Sequence, residues 1–168
     1  MSKALSSWSG MRKYLEKDML ADVLKGRVRY SCTTYPHMDG SHIFEIFIDD
    51  KCIKRFSEST VYSSFMNKNK DLNNQEIWDM VWNSINPENM NEQIEFFSID
   101  FSKALEIYRN SNIQESIFSK NPIVRMFAVL DRRIGKRTLL KLKSELCSQP
   151  KWLLPFYELR LRSEGLYL

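Results

Sequence analysis

The apolar residues of this chain change their spacing twice, and those two changes constrain the fold more than any single motif. From Trp8 to Lys25, Met11, Leu15, Met19 and Val23 step by four, with Leu20 and Leu24 on the adjacent row. That spacing predicts one helix with a wide buried face. Ser9 is placed to cap its start and Gly26 to end it. After Gly26 the period drops to two: Val28, Tyr30, Cys32 and Thr34 alternate with Arg27, Arg29, Ser31 and Thr33, the pattern of a half-buried strand. A turn over residues 36–41, an apolar run from Ile43 to Ile48, a tight turn at Asp49-Asp50 and a further run from Lys51 to Phe56 together predict a three-stranded antiparallel meander.

Beyond Ser57 only helical spacing remains. Val61, Tyr62, Phe65 and Met66 predict a short helix, and the polar stretch 67–73 a loop. Asn73 with Glu76 reads as a capping box. Ile77, Trp78, Val81, Trp82 and Ile85 then form a regular apolar stripe, repeated by Phe101, Ala104, Leu105 and Tyr108. Pro122 suits the first position of another helix, with Ile123, Phe127, Leu130 and Ile134 inward and Gly135 at its end. Leu139, Leu142 and Leu146 carry the next helix, and a last one is expected from about Trp152 to Glu164. Trp78, Trp82, Trp152, Phe156 and Tyr157 all fall on such stripes and are expected in the core. The fold expected is α+β: an N-terminal helix, a three-stranded antiparallel meander, then a predominantly helical C-terminal part. A chain of 168 residues suits one domain over 1–168; any division would separate an α-β-β-β-α unit, 1–66, from a helical part, 74–168.

Composition narrows the class. Hydrophobic residues make up 43% of the chain and charged residues 27%, which is ample for a globular core. No run approaches the ~18 apolar residues of a membrane span, and the first residues lack the apolar segment of a secretion signal. A cytoplasmic protein without a membrane partner is expected. The three cysteines, Cys32, Cys52 and Cys147, are far apart and form no Cys-x-x-Cys pair; free thiols in a reducing compartment are expected, although Cys32 and Cys52 are placed to face each other across a sheet.

The net charge of +4 is unevenly spread. Residues 71–121 hold nine carboxylates against three cations, and residues 122–168 ten cations against four carboxylates. The basic end is densest at Arg132, Arg133, Lys136 and Arg137, between two expected helices. Arg132 and Arg133 suit a helix C-terminus, whereas Lys136 and Arg137 precede a helix N-terminus whose free N–H groups attract phosphate or carboxylate. Joined by Arg27 and Arg29 from the first strand, these six residues are the candidate anion- or nucleic-acid-binding surface.

Other chemistry finds little support. Gly135-Lys136 is no P-loop, because Leu130 stands where the motif needs glycine and Arg137 where it needs Ser or Thr. His37, Asp39 and His42 flank one turn without a further converging ligand, so no metal is expected. There is no Gly-x-Ser-x-Gly elbow and no cofactor fingerprint. Catalysis and a cofactor are therefore not expected. The leading reading is a non-enzymatic interaction or regulatory protein with an unknown protein partner, recognised through an apolar patch near Trp8 or the final helix and bordered by charge. Nucleic-acid binding by the basic residues is the alternative.

Trp8-Ser9-Gly10-Met11-Arg12, Leu24 to Tyr30, Asp131 to Leu139 and Phe156 to Arg160 with Glu164-Gly165 resemble the motifs of a family of short uncharacterised bacterial proteins. The resemblance touches both ends of the chain and implies a full-length protein of the bacterial cytosol, with no activity to carry over. In element order alone, residues 8–66 are also similar to the double-stranded RNA-binding domain, but Ser57-Glu58-Ser59-Thr60-Val61 lacks the cations that family places at the start of its second helix.

Overall fold

The computed structural model describes residues 7–34, 42–85 and 87–166. Its order of elements follows the two changes of period. Helix α1 (Trp8–Lys13) is capped by the Ser7 hydroxyl, which accepts from the Gly10 amide at 3.2 Å, and not by Ser9. It runs into a π-helical turn, Tyr14–Asp18, closed by the Met19 amide on the Tyr14 carbonyl. The expected single helix to Lys25 therefore breaks at Met19. The reason is a competing partner: Ala21 donates to the Leu130 carbonyl and Arg132 donates to the Met19 carbonyl, at 2.9 and 2.8 Å. Leu20 and Asp131 thereby form a short antiparallel bridge. Leu15, Leu20 and Leu24 are buried, but Val23, which a continuous helix would have turned inward, is 43% exposed. Gly26, at φ 82°, takes the left-handed conformation that turns the chain into the sheet.

The meander is as expected. Strands β1 (Val28–Thr34), β2 (His42–Ile48) and β3 (Lys51–Phe56) pair antiparallel in the order β1-β2-β3. Asp49 and Asp50 both have positive φ, 47° and 66°, the conformation of a two-residue hairpin turn whose twist matches the strands. Cys32 and Cys52 lie on the two outer strands with β2 between them, so they do not face each other, and all three cysteines are free. The turn residues His37 and Asp39 lie outside the described residues.

Among the described residues seven α-helices follow: α2 (Glu58–Lys68), α3 (Asn74–Ser84), α4 (Ser98–Asn110), α5 (Ile113–Ile117), α6 (Pro122–Leu130), α7 (Lys136–Lys143) and α8 (Leu154–Ser163). The α+β class is as expected; α5 is an added helix of five residues. Asn73 and Glu76 form the expected capping box. Pro122 opens α6, but that helix stops at Leu130, and Ile134 is buried from the loop beyond it.

One face of the sheet is covered by α4 and α6. Phe101 of α4 stacks on Phe44 of β2, ring centroids 4.3 Å apart, and meets Phe56 of β3 and Phe127 of α6 at 5.3 Å each. Every residue of α6 is buried, so this helix is the axis of the main core, flanked by α4, α5 and α8. Helix α2 turns away from the sheet and pairs with α3 around a second, smaller cluster of Val61, Ile77, Val81 and Phe97. Phe96 and Phe97 divide the two clusters. Phe96 bridges Phe56 and enters the main core, and the next side chain, pointing the opposite way, enters the small one.

Candidate functional site

Three of the six cations singled out in the sequence are held by carboxylates. Arg27 grips Asp49 with two bonds, 2.9 and 2.7 Å, and reaches Ser163 at 3.1 Å. Arg29 pairs with Asp50 at 2.9 Å and lies over the Phe47 ring. Arg133 folds back on Asp131, with Nε at 3.0 Å and Nη2 at 2.7 Å from its two oxygens. Asp131 itself is almost wholly buried, and it also accepts from the Tyr108 hydroxyl and the Arg133 amide. That carboxylate holds the Arg133 guanidinium above its ordinary pKa. The charge of each of these three arginines is thus paired within the fold.

Arg132, Lys136 and Arg137 are exposed. Arg132 lies close enough to Asp22 to help hold that carboxyl below its ordinary range, behind the dominant effect of Lys25. Lys136 and Arg137 open α7, whose N-cap is Gly135, with no side-chain cap and no acidic residue in the first turn. The free amides and these two side chains are what remains of the anion-binding arrangement.

A different surface stands out on α3. Trp82 is 62% exposed, against the expectation that its stripe lies in the core. Ile77 and Val81 of that stripe are buried, but the indoles of Trp78 and Trp82 stack on the outside at 6.2 Å. Tyr62 of α2 extends the row on one side, 5.0 Å from Trp78, and Phe97 lies under Trp82 on the other, 5.5 Å away and 17° from parallel. The reason is local: the small cluster fills the space between α2 and α3 with Val61, Ile77, Val81 and Phe97, and among the described residues no further element covers the outer edge.

Beside this row runs a groove of about 400 Å³, between the end of α2, the end of α3 and the segment 89–97; Phe65, Ile85 and Phe97 line it, with Glu92 and Glu95. Ile94, 64% exposed, stands at its border. The segment is fixed from behind by Lys54 of β3. That ammonium donates to the Ile94 carbonyl, pairs with Glu95 at 3.8 Å and sits over the rings of Phe96 and Trp152; burial pulls its pKa down. Asp79 and Glu92 accept hydrogen bonds from Gln75 and Asn89 and, among the described residues, make no ion pair. Trp78, Trp82 and the segment 89–97 belong to the acidic third of the chain; α2 adds Tyr62, Phe65 and, at the groove, one cation, Lys68. Aromatic area that is already stacked and held loses little freedom on binding, which is what an anchor for another chain requires.

The two places where an apolar patch was expected differ from this one. The final helix is largely buried through Phe156, Tyr157, Leu159 and Leu161. Trp8 is half-buried against Phe44, 5.6 Å away, at the edge of a groove of about 450 Å³ shared with Met11, Phe101 and Leu105. No helix among the described residues is long and apolar enough to cross a membrane. No curated protein and no solved structure matches the chain. The family model of the SF0329 protein family matches residues 7–161, nearly the whole chain including every element of the sheet and the aromatic row, and the chain belongs to that family.

Proposed function

We propose that this protein is a non-enzymatic interaction module of the bacterial cytoplasm that captures a partner segment carrying apolar side chains among cations. The observation that carries the reading is Trp82: 62% exposed, yet stacked on Trp78 and Phe97. Exposed indoles held by neighbours are the commonest anchors of protein interfaces. Carboxylates at Asp79 and Glu92, which make no ion pair among the described residues, favour an approaching cation and disfavour nucleic acid on this face. Free thiols at all three cysteines agree with a reducing compartment.

Selection of a displayed random-peptide library on the purified protein tests the reading. Enriched peptides should combine aliphatic or aromatic residues with Lys or Arg, and lose at least about tenfold in affinity against Trp82→Ala, the size expected of an interface anchor. A selection that yields nothing, or peptides indifferent to Trp82, counts against it.

The second reading, phosphate or nucleic-acid binding at Arg132, Lys136 and Arg137, is favoured by one observation: the uncapped start of α7 with two exposed cations upon it. Binding to mixed DNA and RNA that falls steeply with salt, and falls further in the double variant Lys136→Ala, Arg137→Ala, supports it. An absence of binding at low salt assigns those cations to solubility.

A further inference from the structure

Helix α6 is buried along its whole length, yet its fourth residue is an arginine. Arg125 is only 7% exposed. Its guanidinium is met entirely by neutral acceptors. Nε donates to the Gln149 side chain at 3.1 Å, Nη1 donates to the Ser119 and Lys120 carbonyls at 2.7 and 3.2 Å, and Nη2 donates to the Asn91 side chain at 2.6 Å. Four of five donors are used and no carboxylate lies within ion-pair reach among the described residues.

This sets Arg125 apart from six other arginines. Arg12, Arg27, Arg29, Arg55, Arg133 and Arg160 each pair with an acid. Arg160 is the close comparison: also buried, and bonded to three backbone carbonyls, it nevertheless has Glu164 at 3.1 Å. A buried cation without a counter-charge is costly, and burial pulls the Arg125 pKa down accordingly.

The guanidinium is not sealed in. Arg125 lines a cavity of about 340 Å³ between the α5–α6 connection and the loop after α7, together with Asn91, Gln149 and the exposed Lys120. Phe118, 52% exposed, forms one wall, and Glu145 is the one acidic side chain at the rim. We propose that this cavity is a binding site for a small oxyanion, a carboxylate or a phosphate group, which supplies the counter-charge Arg125 lacks. The ligand meets the guanidinium, which the Tyr157 hydroxyl also neighbours, together with the Lys120 ammonium, and the amides of Asn91 and Gln149 hold the guanidinium in position for it. Glu145 sets the selectivity: it repels a highly charged anion and tolerates one that is compact and singly or doubly charged. This site shares no lining residue with the groove beside Trp82, although Asn91 belongs to the segment that forms a wall of that groove.

The test is the Arg125 Nε–H resonance of the intact protein, followed by NMR during separate titrations with inorganic phosphate, acetate and sodium chloride. Saturable movement below about 20 mM with phosphate or acetate, the range of a weak single-anion site, is expected, and which of the two saturates identifies the headgroup. Lys120→Ala, an exposed change that leaves the fold intact, should weaken that binding about fivefold. Arg125→Lys keeps the charge but loses the fork, and followed on the side-chain amide resonances of Asn91 and Gln149, which meet the guanidinium in the parent, it should lose the saturable phase that the parent shows on those same signals. If neither anion moves the resonance, if chloride moves it equally, or if Lys120→Ala binds unchanged, Arg125 is a structural tie between α5, α6 and the loop after α7.

Discussion

Phe96 and Phe97 are neighbours in the chain and enter different cores. Phe96 joins Phe56, Phe101, Phe127 and the half-buried Trp152 in the main core between the sheet, α4, α6 and α8. Phe97 joins the smaller cluster of Val61, Ile77 and Val81, and carries Trp82 on its outer face. The main core spends its aromatic area on burial. The α2–α3 pair leaves much of its own in water, and the hairpin is positioned by the bridge from Phe56 to Phe96 and by Lys54 on the 94–96 segment. The same side-chain chemistry thus serves stability in one region and recognition in the other, and the difference is set by whether a further element covers it.

The largest effect is expected in the closed region. Phe127 packs against Tyr30, Phe101 and Tyr108, and Phe127→Ala should cost about 4 kcal/mol in urea unfolding, from lost transfer energy and a cavity that α6 cannot fill. A cost below about 1 kcal/mol would mean the core collapses around the gap. Alkaline pH probes the same region. Burial, opposed by the nearby Arg125 charge, pushes Tyr157 up to about 12 from 10.0. A folded-state pKa above the unfolded one gives stability that is complete below pH 10 and is lost as the pH rises toward 12, about 3 kcal/mol for a shift of that size. Tyr30 and Tyr108, both raised chiefly by burial, act in the same direction. Unfolding followed between those pH values should show a shallower decline in Tyr157→Phe.

In the smaller cluster Ile77→Ala should cost about 2 kcal/mol, the low end for a large-to-small change because the hairpin can relax. Hydrogen exchange should quicken in α2 and α3 and stay slow in α6. Equal acceleration in α6 would show that the two clusters unfold as one. The smallest effect on stability belongs to Trp82→Ala, about 0.5 kcal/mol, since most of the indole is already in water.

Most of this architecture is legible in the sequence because period reports local geometry: the alternation after Gly26, the capping box at Asn73 and Glu76, and the proline opening α6 all appear where they were expected. What period does not report is the partner. Met19 leaves its helix because residues 130–132 capture its backbone, a contact over a hundred residues away that no local pattern encodes. Trp82 shows the same limit with a visible clue. At 3.6 residues per turn, Ile77 and Trp82 lie about 140° apart, wider than the ~100° face a packed helix needs, and Trp82 is the residue at the margin. The basic turn was legible as a cluster of cations, but its internal division was not: Asp131 takes Arg133, while Lys136 and Arg137 stay in solvent, and only the fold reveals which cations are spoken for.

The exposed aromatic row as a binding surface is tested most directly by measuring, on one preparation of Trp82→Ala, both the melting temperature and the affinity for a peptide selected on the parent protein. The account predicts a melting temperature within about 3 °C of the parent, as a surface change implies, with binding weakened at least tenfold, about 1.4 kcal/mol. A variant that melts far lower while binding the peptide as before would show that Trp82 is a structural residue and that recognition lies elsewhere on the molecule.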